Sequence, residues 1–130
     1  MTAPRFERSA AARGPLVQRL TPRGFSVDGG IYPALLLTPE RAEGWDAPAA
    51  LADLDEAHLA PILSLEPKPE FVLLGTGPAM AFAPRALVRA LEARGIGVEA
   101  MDSRAAARTW GVLRAEERWI VAALMPLDAA

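Results

Sequence analysis

The sequence predicts a single α/β domain, and three stretches carry that reading. Between Glu70 and Met101, the run Phe71-Val72-Leu73-Leu74 enters Gly75-Thr76-Gly77-Pro78, then a helical stretch, then Gly97-Val98-Glu99-Ala100-Met101. That is the pattern of a βαβ unit: a buried strand stopped by a glycine turn, a crossover helix and a second strand. From Trp119 to Met125 an apolar run without alternation reads as a central strand covered on both faces. Ahead of both, Leu16 to Thr38 reads as a β-meander around Asp28-Gly29-Gly30.

Size and composition suit such a domain. A chain of 130 residues, 52% apolar and 23% charged, is long enough for a core without disulfide or metal staples. It contains no cysteine, which excludes disulfides, thiolate catalysis and iron–sulfur or zinc–thiolate sites, and fits a reducing cytoplasm. Fourteen basic residues, all but Lys68 arginine, are offset by sixteen acids to a formal net charge of -2. Without a global basic field, nucleic acid is not an expected partner. No apolar run approaches the length of a transmembrane helix. Residues 1–14 are rich in Ala and Arg and lack an apolar segment, so they read as a flexible tail ahead of one domain over residues 15–130.

Taken in order, Leu16, Gln18 and Leu20 share one face of a first strand, and Phe25 and Val27 alternate with Ser26 and Asp28. A return strand follows over Ile31 to Thr38, with Pro33 tolerated near its start. Pro39 to Ala50 is expected to be irregular and anchored by Trp45. Asp53 and Asp55 are candidate caps of a helix carrying Leu59, Ile62 and Leu63. Pro84 opens a helix with a Leu87–Val88–Leu91 stripe that ends at Gly95. Asp102 or Ser103 caps a last helix, on which Ala106, Trp110 and Leu113 repeat at helical spacing.

The chemistry-bearing residues are few. Glycines at a strand end let a backbone approach a phosphate, but the third glycine of the dinucleotide fingerprint is replaced by Met80 and no Walker lysine follows. No cofactor is therefore expected; the turn is first a close backbone approach and second an anion cradle. His58 is the single histidine, which excludes a His-based triad, and the acids around it are those expected at a helix start. No metal is expected. Asp102 is the best placed acid, beside the Gly75 turn if the two strands are parallel, while Ser103 reads as a cap rather than a nucleophile. Arg104 and Arg108, at i and i+4, form a small basic ridge.

These residues also carry a resemblance. Gly75-Thr76-Gly77 after an apolar strand, and Met101-Asp102-Ser103-x-x-Ala106-x-x-Thr109-Trp110-x-x-Leu113-x-x-Glu116-x-Arg118 before Val121-Ala122-Ala123-Leu124, are similar to the Mth-type domain family of unknown function. That family includes a mitochondrial respiratory complex I assembly factor and an adipogenesis-associated Mth-type domain protein. The similarity runs from about Leu20, through Gly24-Phe25 and Trp45, to Leu124. It implies a mixed β-sheet with an N-terminal β-hairpin layer on one side and helices on the other, and no established catalysis. Where many members carry an aromatic residue followed by Asn, this chain has Trp110-Gly111: if that amide serves a binding site the role is lost here, and if it only ends a helix glycine can substitute.

Two functions follow as expectations. The leading one is a cytoplasmic, non-catalytic protein-interaction or assembly factor without catalytic residues. Its groove would use Gly75, Thr76, Gly77, Pro78, Asp102, Ser103, Arg104, Arg108 and Trp110. The resemblance makes its partners components of a respiratory complex or of membrane-protein assembly. The alternative is a small-molecule or anion-binding domain, or an enzyme, at Gly75–Gly77 and Asp102. An edge strand over Leu16–Thr21 would also allow a homodimer.

Overall fold

The computed structural model describes residues 14–129, so all of the expected N-terminal tail but Gly14 lies outside the described residues. Strands β1 (Arg19–Thr21), β2 (Gly24–Val27) and β3 (Gly30–Tyr32) form an antiparallel sheet in that order. Asp28 and Gly29, with φ of 49° and 86°, make the two-residue turn between β2 and β3, the left-handed geometry that matches strand twist. Ser26, expected on a solvent face, is only 4% exposed. All four residues of β2 are buried, because β2 is the middle strand of a sheet that itself lies on the core.

Two strand assignments change. The single return strand expected over Ile31–Thr38 is split: β3 stays in the small sheet, while β4 (Leu35–Leu37) joins the large one. Pro33 lies in the break, where its missing N–H cannot extend a ladder. The stretch expected to be irregular contains β5 (Ala42–Gly44), paired antiparallel to β4 with Leu36 opposite Glu43. Ala-Glu-Gly has no strand signal of its own, so the pairing with β4 makes this strand. Trp45 follows it and donates its indole N–H to the His58 carbonyl at 2.9 Å.

The large sheet has the order β5-β4-β8-β6-β7, with β6 (Phe71–Gly75) parallel to both β7 (Gly97–Met101) and β8 (Val121–Leu124), and β4 antiparallel to β8. Alternate residues face opposite cores. Leu36, Val72, Leu74, Val121 and Ala123 pack under α2 (Arg85–Ala93), the short α1 (Ala60–Leu63) and the 3-10 turns before it. Leu35, Leu37, Leu73, Ala122 and Leu124 pack against α3 (Ser103–Ala115) and the small sheet, through Trp110 and Phe25. β8, buried along its whole length, is the covered central strand that its unbroken apolar run predicts.

The helix ends follow local chemistry. Asp55 caps its helical turn by accepting from the His58 N–H, and the His58 ring accepts from the Asp55 N–H in return. Asp53, the other expected cap, sits inside a preceding 3-10 turn. The exposed Glu70 carboxylate receives the Arg118 guanidinium in a forked pair, at 2.8 Å for its shortest bond, which holds the Glu70 carboxyl below the usual carboxylate range. Gly111 does not end α3: the helix continues to Ala115. A Cβ built on Gly111 meets nothing within 4 Å. Since glycine inside a helix is less favourable than alanine by about 0.5–1 kcal/mol, Gly111→Ala is expected to raise stability by that amount in urea denaturation.

Candidate functional site

In an open α/β sheet the crevice for a ligand lies where neighbouring strands send their following chain to opposite faces, at the carboxyl ends. Here those strands are β6 and β7. They are parallel neighbours, with Gly75 opposite Met101, and α2 and α3 leave them toward opposite cores. The two strand tips expected to lie side by side do so.

The space between them is occupied by hydrogen bonds of the chain itself. The Thr76 N–H donates to the Met101 carbonyl and the Ser103 N–H to the Gly77 carbonyl, each at 2.8 Å. The Ser103 hydroxyl, fully buried, accepts from the Gly77 N–H and donates to the Met125 carbonyl, both at 2.8 Å. Ser103 thus joins the tips of β6 and β8 to the start of α3. The Thr76 hydroxyl lies 2.7 Å from the Ala79 carbonyl and accepts from the Ala81 N–H, folding the following loop back on the strand. Gly75 is required because a Cβ there would stand 2.7 Å from the Ser103 hydroxyl and 2.9 Å from Leu124. Gly77 is required because its φ is 106°. Neither the Thr76 nor the Gly77 amide is free to meet an anion.

The remaining predicted residues do not gather into one groove. Asp102 caps α3, its carboxylate accepting from the Ala105 N–H at 2.9 Å. Ser103, expected as an alternative cap, is instead the first helical residue and the clamp just described. Arg104 and Arg108 are exposed on α3. Trp110, expected on the interaction surface, is fully buried and donates its indole N–H to the Pro15 carbonyl at 2.8 Å. Its helical spacing with Ala106 marks it as a core residue, and it cannot touch a partner.

Two residues that sequence reasoning passed over stand out instead. In the loop from β6 to α2, Phe82 is 86% exposed and Met80 55% exposed. Beside them lies a shallow apolar depression of about 430 Å³, lined by Leu51, Thr76, Pro78, Met80, Ala81 and Ala129 among others. Two of the predicted groove residues, Thr76 and Pro78, border it. The signal was present as apolar residues in a stretch bracketed by Pro78 and Pro84, where no helix or strand explains them. Among the described residues no helix is long and apolar enough to cross a membrane.

Comparison with known proteins gives a consistent placement. The chain is 30% identical over 120 residues to NADH dehydrogenase [ubiquinone] 1 alpha subcomplex assembly factor 3 of Danio rerio, covering 92% of this chain and 68% of that protein. It is 33% identical over 105 residues to the Bos taurus factor of the same name, of which it spans 56%. The solution structure of a Bordetella pertussis protein described as a Mth938-like domain superposes with a TM-score of 0.74 at 29% identity, over 92% of this chain and 89% of that one. Residues 17–125 match the family described as protein of unknown function DUF498/DUF598, and the chain belongs to that family.

Proposed function

We propose that this protein is a non-catalytic assembly factor that works in the cytoplasm by binding a protein partner, and that the loop carrying Met80 and Phe82 is its contact surface. The observation that carries the reading is the exposure of Phe82. Leaving a phenylalanine in water forgoes about 1.5–3 kcal/mol of burial, and here the residues just before it, Met80 and Ala81, line an apolar depression. Aromatic side chains, phenylalanine among them, are enriched at the cores of protein interfaces. The similarity to proteins named for the assembly of NADH dehydrogenase supports the assembly part of the reading and points to respiratory-complex components as partners. The alternative, an anion-binding domain or enzyme at Gly75–Gly77 and Asp102, has less to stand on. Its amides and its carboxylate are already engaged within the chain.

Affinity capture from the native cell, repeated with Phe82→Asp, tests the proposal. A hot-spot loss of about 2–4 kcal/mol would lower recovery of the specific partner by more than about tenfold, with an unchanged melting temperature. A partner recovered equally by both forms would rule out this loop as the contact surface.

A further inference from the structure

Among the described residues, the arginines at the two ends of the large sheet differ. At one end of the large sheet they are paired: Arg94, just past the end of α2, with Glu56, and Arg118 with Glu70 at the entrance to β6. At the other end they are not. Because β6 and β7 are parallel, α2 and α3 both begin at their carboxyl ends, and each has an arginine in its first turn, Arg85 on α2 and Arg104 on α3, with a second one turn further on, Arg89 and Arg108. All four are exposed, and among the described residues none has an ion-pair partner.

This placement is locally unfavourable. The start of a helix carries about half a positive charge, and a cation in its first turn is expected to cost about 0.3–1 kcal/mol. Neither first turn contains an acid; α3 has its Asp102 cap, while α2 is capped by Pro84 with no side-chain bond. At α2 the local rule is broken without compensation inside the fold, and such a break points to function. A third element contributes to the same end. Arg23, from the turn between β1 and β2, lines with Arg104 and Asp128 a cleft of about 470 Å³. The segment after β8 joins the two depressions, since Leu127 and Asp128 line this cleft while Ala129 lines the apolar one beside Met80. The acids near this end are four, Asp46, Asp53, the capping Asp102 and Asp128, against five arginines, and Asp102 is engaged in its cap.

We infer that the partner segment is acidic: an apolar side chain seats against Met80 and Phe82, and flanking carboxylates meet Arg85, Arg104 and Arg23. The inference rests on the protein-interaction reading of the same loop and adds the chemistry of what binds. Charge complementarity selects this occupant. The chain as a whole carries a formal net charge of -2, so its long-range field does not draw it to an anionic bilayer or a polyanion. A short acidic segment responds to the local arginines, because screening limits the field of distant charges to about 8 Å at physiological salt. Arginine suits the role, since its planar fork pairs both oxygens of a carboxylate.

Two measurements test this. First, a photo-crosslinking phenylalanine analogue at position 82, used in the native cell, should capture a peptide in which Asp and Glu outnumber Lys and Arg. The Arg85→Glu, Arg104→Glu double variant should abolish that crosslink. Second, a fluorescent amphipathic peptide with leucines on one face and glutamates on the other should bind the purified protein about tenfold tighter than its lysine counterpart at low salt. The double variant should invert the preference. Equal binding of both peptides, or crosslinks only to lipid or to a second copy of the chain, would overturn the inference. So would sedimentation with equimolar phosphatidylcholine–phosphatidylglycerol vesicles that exceeds peptide binding. Capture of a neutral or basic protein segment would overturn the charge inference alone and leave the interaction reading standing. Capture of no protein would remove both.

Discussion

Trp110→Ala is expected to lower the unfolding free energy by about 3–5 kcal/mol, the range for removing a large aromatic side chain from a packed core. Trp110 is among the largest fully buried side chains, and it sits in the cluster that binds α3 to the large sheet and to the small one through Phe25 and Leu73. Its indole N–H also holds the Pro15 carbonyl, which ties the start of the described chain to α3. The substitution therefore opens a cavity and strands a buried acceptor together. Since domains of this size are stable by about 5–15 kcal/mol, the loss would bring the protein close to its folding threshold. Urea denaturation should show the midpoint shifted with little change in slope. A loss below about 1 kcal/mol would mean that the cavity collapses or fills, and that Trp110 is not the keystone of this core.

Ser103→Ala is expected to cost about 2–4 kcal/mol, a large effect for the loss of one oxygen atom. The hydroxyl satisfies two buried backbone groups, the Gly77 N–H and the Met125 carbonyl, and an unsatisfied buried group costs about 1–3 kcal/mol. No other side chain bonds to either group among the described residues. The variant should also loosen the junction locally. Amide hydrogen exchange should quicken at Gly77 and in the loop toward Met80 before it quickens in β8. Unchanged exchange at Gly77 would show that the clamp is not what fixes the β6 turn. The same measurement bears on function, because this turn sets the course of the loop that presents Phe82.

Much of the fold was legible because period and glycine placement are local properties. The βαβ unit over Glu70–Met101, the covered strand at Val121–Leu124 and the Asp28-Gly29 turn all stand where the text places them. Asp55 and Asp102 cap helices as short acidic side chains should. Three features were not legible. β5 has three residues without apolar alternation and exists through its partner β4. The break at Pro33 reads in sequence as a tolerated irregularity, whereas in space it moves the chain from one sheet to another. Gly111 left open whether the Asn of relatives ends a helix or serves a site, and here the helix simply continues past it under the packing of Trp110.

The candidate site divides along the same line. By itself, the order of residues determined two strand tips, one ending in small residues and one in a carboxylate, that would meet if their strands ran parallel, because the period of side chains and the glycine turn are local properties. The pairing itself came from the structure. Only the tertiary structure decided which side chains remain in water there. Trp110 is swallowed by the core, the Gly77 amide is taken by Ser103, and Phe82 is left outside in the loop that leads to Arg85. Exposure depends on what packs against a residue from elsewhere in the chain, and a linear pattern does not hold that information.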